Sequence, residues 1–575
     1  MSGSLIPNGK QQYLDANGKP LAGGKVYYYI PSTTTPKNTY QDAALTILNA
    51  NPIVLDSAGE CIAYGSGAYR QIVNDVNGNI IWDQPTYSPI TLTDVATVYS
   101  APNGSSLIGY NEGATGAVNI TVQSKLQESI SVKDFGAKGD GTTNDTTAIL
   151  SAFASLTSNS SLCFPPGTYI FSNGSTGISI NGLSNVEIFA MGAKINFLAN
   201  DAFINLINCN DVKIHGFLLK GTLSNSQRYV GIENQGQLVP QSCNDVEIYE
   251  NTWQDTAGGV FLQVNNQNVN VRNNNFIRTH AGCQTSGGTN NSIFICDNYF
   301  LGHVYQTVDL GSDDQIAVFG SGKDFVITGN IIDKQGPTAY NQAHGILVAF
   351  GPNPISDVII SNNLIKNCVS TTNSSSSITL VGTTGGGIVT NVVIESNNII
   401  YTNLGIEVNV ITQSTTIGNN NIAFVSAISG DSTTGGGIRC TDNGVANKTK
   451  TIITGNSVKS CANAGIYIAG QSNVIVSNNM VTLSTGQGIL LDAVNYAVIS
   501  NNICTDNTFA GIQTNTCEVI SINGNTSSLN STYGLLCSGT IISGTICGNS
   551  FTSNTTANLT VTAGTDNSVK TGNFN

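Results

Sequence analysis

Ile475-Val-Ser-Asn-Asn479-Met and, 23 residues on, Ile499-Ser-Asn-Asn502-Ile are two copies of one phrase: alternating apolar residues, two small or polar residues, Asn, then an apolar residue. The same phrase stands at Val271-Arg-Asn-Asn-Asn275-Phe, Val326-Ile-Thr-Gly-Asn330-Ile, Ile359-Ile-Ser-Asn-Asn363-Leu and Ile453-Thr-Gly-Asn456. With the last Asn as marker, the positions are 251, 275, 298, 330, 363, 398, 421, 456, 479, 502, 525 and 549. Their gaps are 24, 23, 32, 33, 35, 23, 35, 23, 23, 23 and 24, a period near 23 in which four gaps are lengthened by about ten, as loops would do. Inside the units a second phrase recurs, as in Gly345-Ile-Leu-Val, Gly405-Ile-Glu-Val, Gly465-Ile-Tyr-Ile, Gly488-Ile-Leu-Leu and Gly511-Ile-Gln-Thr. Both phrases alternate at period two, which marks short strands with one inward face and excludes helices there.

Short strands joined by Asn and Gly turns, repeating every 23 residues, describe the coils of a right-handed parallel β-helix stacked about 4.8 Å apart. The Asn column is expected to tolerate left-handed bends between strands and to bond amide to amide from coil to coil. Similar spacing at Val186-Glu-Ile188 and Val212-Lys-Ile214 starts the helix soon after residue 160. Before it, Ile149, Leu150, Phe153 and Leu156 share one helical face, with Asp145 at the N-cap position. This helix would cover the first coil, whose open edge would otherwise invite pairing. The fold class is therefore all-β: a small N-terminal β domain over 1–100, a short helical neck over 101–130, a β-helix of about 15 coils over 131–560 with its capping helix, and a tail over 561–575.

Composition agrees. The 575 residues are 40% apolar and only 10% charged, with a net charge of −13. Such a chain is too apolar for general disorder. Lys+Arg number 22 against Asp+Glu 35 without a basic cluster, so the phosphate-neutralising surface of a nucleic-acid binder is missing. No apolar run approaches the 18 or so residues of a membrane span, and Met1-Ser2-Gly3-Ser4 lacks a basic-then-apolar leader, so a cytosolic origin without membrane insertion is expected. The 13 cysteines include no CxxC and no Cys/His ligand spacing; buried reduced thiols are expected, with no metal and no cofactor.

Two resemblances add to this reading. Val132-Lys-Asp-Phe-Gly-Ala-Lys-Gly-Asp-Gly-Thr-Thr-Asn-Asp-Thr-Thr-Ala-Ile149 resembles the opening motif of the pectate-lyase-like β-helix superfamily, which usually has Asp where Asn144 stands. Upstream, Gly24-Lys-Val-Tyr-Tyr, Pro36-Lys-Asn-Thr-Tyr-Gln41, Asn51-Pro-Ile-Val-Leu-Asp56, Tyr69-Arg70 and Asn77-Gly-Asn-Ile-Ile-Trp-Asp83 together resemble the particle-binding domain of tailed-phage tailspikes. The stretches Thr115-Gly-Ala-Val and Val122-Gln-Ser-Lys-Leu-Gln-Glu-Ser-Ile-Ser-Val-Lys-Asp-Phe135 are similar to the neck that follows such domains. The resemblance implies a homotrimer in the virion, assembled in the host cytoplasm, attached to phage tail or adaptor proteins through the N-terminal domain and directed at a bacterial surface polysaccharide, capsule or O-antigen. No long heptad supports a trimer from the residues themselves.

Chemistry is expected where coils are lengthened, between Asn298 and Asn398. Aligning the strand phrases puts Asp313-Asp314-Gln-Ile316 over Ala343-His344-Gly-Ile346, so that Asp314 and His344 neighbour each other before paired inward strands. Two carboxyl groups with a histidine one coil away can supply a proton donor, a base for water and a positioning group. These phrases resemble two active-site motifs of the polygalacturonase family, which would make Asp313 or Asp314 the general acid or base and His344 their orienting group. The family's third Asp has no counterpart in His280-Ala-Gly-Cys-Gln-Thr285, leaving Asp309 as nearest candidate, and its Arg-x-Lys is absent near Ser376-Ser-Ile-Thr-Leu380. Outward positions Glu407, Arg439 and Tyr467 are candidate sugar-binding residues. Arg228, Tyr229 and Glu233 form a weaker alternative. The reading is an endo-acting hydrolase; a non-catalytic adhesin and a lyase are the alternatives, the lyase disfavoured by the scarcity of Lys and Arg to neutralise a uronate.

Overall fold

The computed structural model describes residues 4–86, 92–173, 177–198, 203–221, 238–256, 258–279, 281–285, 288–302, 314–335, 344–370, 375–382, 389–409, 413–429, 433–441, 450–562 and 565–573. The chain divides into two compact units, Met1–Gln127 and Glu128–Asn575.

In the first unit, Lys25–Tyr29 alternates buried and half-buried residues and pairs antiparallel with Ile53–Val54 on one side and Tyr69–Asn74 on the other. Ile80–Thr86 extends that sheet, and Ser4–Gln12 pairs separately with Glu60–Gly65. Tyr13, Val26, Tyr28, Ala63, Tyr69 and Val73 form the core. The Gln71 amide donates to the hydroxyls of both Tyr13 and Tyr28, which satisfies three polar groups in that interior. The first 100 residues are not wholly strand-like: Leu92–Ser100 is a helix, and Val122–Leu126 supplies another within the expected neck.

The second unit is the expected parallel β-helix. One sheet of sixteen strands runs from Asp140–Asn144 to Ser550–Thr552, every neighbour parallel and one coil on in sequence. We call this sheet A. Two further parallel stacks close each coil. Sheet B follows A in each coil and begins at Ile178–Asn181; sheet C precedes the next A strand and includes Ser160–Phe164 and Ser184–Ala190. Two long strands, Ile316–Thr328 and Ile346–Ser361, bend through both B and C. The bend needs glycine at Gly322, whose φ of 134° no side chain favours and whose Cβ would collide with the Asn290 carbonyl oxygen. Thr565–Thr571 pairs with Thr540–Cys547, so the segment expected as a tail carries a further C strand.

Inward residues fill a continuous core of stacked Ile and Val, with Trp253, Phe276 and Phe300 stacked face to face at 4.6 Å on three successive coils. The helix Thr146–Ala154 covers the first coils, burying Ile149 and Phe153; Leu150 remains half-buried. Asp145 stands at its N-cap but does not cap it. Its carboxylate accepts from the Lys138 and Gly139 amides, and Asn144 Oδ1 takes the Thr146 N–H instead. The departure from the superfamily's Asp at 144 thus keeps a capping oxygen. All thirteen thiols are free, Cys296 and Cys547 half-buried and the others buried.

The asparagine column runs Asn251, Asn274, Asn298, Asn330, Asn363, Asn397, Asn420, Asn456, Asn479, Asn502, Asn525 and Asn549, all buried. At three coils the buried Asn is therefore one residue before the marker read from sequence: 274, 397 and 420 rather than 275, 398 and 421. At these three coils the next residue, Asn275, Asn398 or Asn421, opens the following sheet A strand and is exposed or half-buried. After Asn251, whose Oδ1 accepts from the Phe217 N–H, each buried side chain accepts from the preceding column Asn through Oδ1 and donates through Nδ2, as Asn456 does to Asn479 Oδ1 at 2.9 Å and to the Ile417 carbonyl at 2.9 Å. The left-handed bend belongs to the residue before each column Asn, such as Asn273 (φ 54°), Asn362 (φ 57°), Asn478 (φ 56°) and Gly455 (φ 69°).

Candidate active site

Ile316 and Ile346 pair in register and are both inaccessible, which fixes the residues that precede them. Asp314 and His344 accordingly lie on adjacent coils, the His344 main-chain N–H donating to Asp314 Oδ1 at 3.3 Å. Both are buried. Gly345 follows because a Cβ there would meet the Ser377 carbonyl and the Ile365 side chain of the neighbouring strands.

The His344 ring points along the coils. Its Nδ1 accepts from the Ser376 N–H at 3.3 Å and lies 3.0 Å from Thr379 Oγ1, so the neutral ring carries its proton on Nε2. Burial pushes its pKa below the usual histidine range; the carboxylates of Asp314 and Glu407 oppose that shift and Lys334 reinforces it. Lys334, itself buried, donates to the His344 carbonyl at 3.1 Å.

From His344 the polar chain continues outward. Ser376 Oγ donates to Glu407 Oε2 at 3.4 Å, and Arg439 Nη1 pairs with Glu407 Oε1 at 2.9 Å. Glu407, Arg439 and Tyr467 are register partners on three successive B strands. The column before them is closed, Leu347 and Thr379 being buried, whereas the Glu407 and Arg439 side chains are 13% and 20% exposed and Tyr467 is half-buried. Burial raises the Tyr467 phenol, with Asp492 adding to the shift and Arg439 opposing it.

The structure thus brings two separately predicted groups into one chain, Asp314 and His344 at its buried end and Glu407, Arg439 and Tyr467 at its half-open end. Asp309 and Asp313 lie outside the described residues, as do Arg228, Tyr229, Glu233 and His280. Sequence reasoning missed Lys334, Ser376 and Thr379. The available signal was a lysine two residues beyond the inward Ile332, and polar residues where the strand opposite His344 would otherwise be apolar.

Comparison with known proteins gives two family matches, each over less than half of the chain. The profile described as "Rhamnogalacturonase A/epimerase, pectate lyase-like" matches residues 129–368, and that described as "Periplasmic copper-binding protein (NosD)" matches 409–575. A tail spike protein of an Escherichia phage is 50% identical over 52 residues, 9% of this chain and 6% of that protein, so the chain spans a small part of that relative. Among solved structures, a tailspike protein mutant of E. coli bacteriophage HK620 in complex with hexasaccharide has 12% identity and a TM-score of 0.45, with 79% of this chain and 82% of that one covered. The family 28 exopolygalacturonase of Yersinia enterocolitica has 12% identity and a TM-score of 0.34, with 82% of each chain covered. The chain is thus similar over a short stretch to a phage tail spike protein and over residues 129–368 to a pectate lyase-like family, and its second unit is a parallel β-helix.

The donor set of 409–575 does not suit copper. It contains no histidine and one methionine, Met480, and five of its six cysteines are buried. Burial pushes the Cys440 and Cys461 thiols up to about 12, away from the thiolate a metal requires.

Proposed function

We propose that the chain is the receptor-binding spike of a tailed phage, which binds a bacterial surface polysaccharide along the Glu407–Arg439–Tyr467 face and hydrolyses it within the polymer. The observation that carries this reading is the hydrogen-bonded chain from buried His344 through Ser376 to Glu407, which ends beside a half-buried tyrosine on a face whose residues repeat along the coils. Such a row suits a linear polymer. In the proposed mechanism Glu407 is the base that activates water. Arg439 holds it in place and Tyr467 packs against a sugar ring. His344 and Asp314, too deeply buried to reach a glycosidic oxygen, position the Ser376–Glu407 end. The proton donor is Asp313 or Asp309, assigned from sequence alone. The chain acts as a homotrimer in the virion, assembled in the host cytoplasm and held to tail or adaptor proteins by its N-terminal unit.

One observation favours a non-catalytic adhesin instead: both Glu407 oxygens are already engaged, by Ser376 and Arg439. Purified full-length protein incubated with host polysaccharide separates the readings. Hydrolysis gives shorter chains with new reducing ends and no ultraviolet absorbance; absorbance from unsaturated products identifies a lyase. Binding with unchanged chain length would leave the adhesin.

A further inference from the structure

Among the described residues, Cys209 and Cys243 are the two cysteines that occupy the same place on neighbouring coils. Register fixes them from both sides: Ile207 pairs with Gln241 before them, and Asn210 with Asn244 after them. Each follows a left-handed residue, Asn208 (φ 53°) or Ser242 (φ 51°), at the turn from sheet B to sheet C. In the next two coils this turn holds Asn266 and Asn290, and the thiols stand where those amides do. Asn266 Nδ2 donates to the Pro240 carbonyl at 3.1 Å, while Cys243 Sγ lies 3.4 Å from the Leu206 carbonyl and Cys209 Sγ 3.5 Å from that of Ile180. Ile180, Leu206 and Pro240 are register partners. Neighbours in such a column touch along the helix axis: Asn266 Nδ2 reaches Asn290 Oδ1 at 3.0 Å, and the Cys209 and Cys243 thiols hydrogen-bond to each other. Both thiols are buried, yet Cys209 sits between exposed Asn208 and Asn210, one layer below solvent.

We propose that Cys209 and Cys243 form a peroxide-sensitive site, at which hydrogen peroxide converts the two thiols into a disulfide joining successive coils. Equivalent positions on adjacent coils are about 4.8 Å apart, inside the Cα range of about 4.4–6.8 Å that a disulfide spans, so side-chain rotation suffices to form the bond. The Cys209 sulfur attacks one peroxide oxygen, the O–O bond breaks, and Cys209 becomes a sulfenic acid as the other oxygen leaves as hydroxide. The Cys243 sulfur then attacks the Cys209 sulfur and displaces the second hydroxide. The two thiol protons complete two waters, so the thiols lose two electrons to the peroxide. The roles follow from the contact between the thiols: the hydrogen bond from Cys243 holds the Cys209 thiol below the usual cysteine range against the opposing effect of burial, and the same contact, with burial, raises Cys243. Cys283, Cys368 and Cys504 have no second cysteine as a register neighbour, and burial pushes all three thiols up. A reducing cytosol keeps the pair open and an oxidising medium closes it. The site is independent of whether the B face cuts a polymer.

Peptide mapping tests this on the full chain, first reduced and then treated with hydrogen peroxide at rising doses that leave circular dichroism unchanged. After unfolding, alkylation and trypsin digestion, the expected product is peptide 195–213 joined to peptide 229–272, each of which carries one cysteine. Two of the 13 thiols are expected to be lost on treatment and regained with dithiothreitol. In Cys243→Ala no joined peptide containing Cys209 is expected. Because the wild-type chain supplies the main readout, the test does not depend on that variant folding. Cys209 and Cys243 both still alkylated at every dose, or Cys209 joined to any other cysteine in the folded chain, would overturn the inference.

Discussion

Glu407 is where the buried polar chain meets the surface, and its two oxygens have different duties. Replacing it by Gln keeps a Ser376 acceptor but removes the charge that Arg439 pairs with. Glu407→Gln is expected to reduce cleavage by at least about a hundredfold, the scale of general acid–base contributions, with polymer binding and unfolding temperature little changed; reducing-end release and calorimetry measure both. Asp314→Asn is expected to lower both activity and stability, because its carboxylate is buried against the His344 main chain. His344 carries a pH signature. Its pKa is lower in the folded than in the unfolded protein, so the stability it contributes is complete above its ordinary value of 6.5 and declines as pH falls below that value, where the unfolded chain gains the proton first. In His344→Asn, whose oxygen can stand in for the Nδ1 acceptor, the stability profile just below pH 6.5 should flatten; urea unfolding there would show it, and an unchanged slope would place the pH dependence elsewhere.

At the scale of the element, a coil is held by its turn as much as by its strands. Asn456 satisfies the Ile417 carbonyl and the Asn420 N–H and links to Asn479, so Asn456→Ala strands several buried polar groups at once. A loss of about 2–4 kcal/mol is expected, whereas the adjacent outward Ser457→Ala should cost under about 0.5 kcal/mol; chemical denaturation distinguishes them. The aromatic stack gives a sharper contrast. Trp253 Nε1 has no hydrogen-bond partner among the described residues, so Trp253→Phe removes an unsatisfied donor while keeping the stack on Phe276. It should cost far less than Trp253→Ala, for which about 3–5 kcal/mol is expected. The strand phrases were legible because their period of two is set by the pleat, and the Asn column because nothing else fills that turn. The off-by-one at Asn274, Asn397 and Asn420 was not, because adjacent asparagines look alike in sequence and only the left-handed residue before the column decides which one turns inward.

Across the β-helix unit, the coil repeat places distant residues in register, and this is where sequence and structure divide. The period near 23, the alternating strands and the apolar helix before the first coil determined a parallel β-helix and the pairing of Ile316 with Ile346, because local periodicity and steric fit act over a few residues. The sequence therefore also placed Asp314 beside His344, and Glu407, Arg439 and Tyr467 on one face. It could not show that these groups form a single hydrogen-bonded chain through Ser376, that Lys334 closes its buried end, or that Asp145 serves the loop before its helix rather than the helix itself. Nor could it separate outward apolar residues of sheet C, such as Ile359 and Val498, from inward ones such as Ile360 and Ile499, since alternating Ile and Val read alike on both faces. Those outcomes depend on side-chain direction and on which coil lies alongside, set by loop lengths and by packing between segments about 23 to 36 residues apart, and only the tertiary structure decides them.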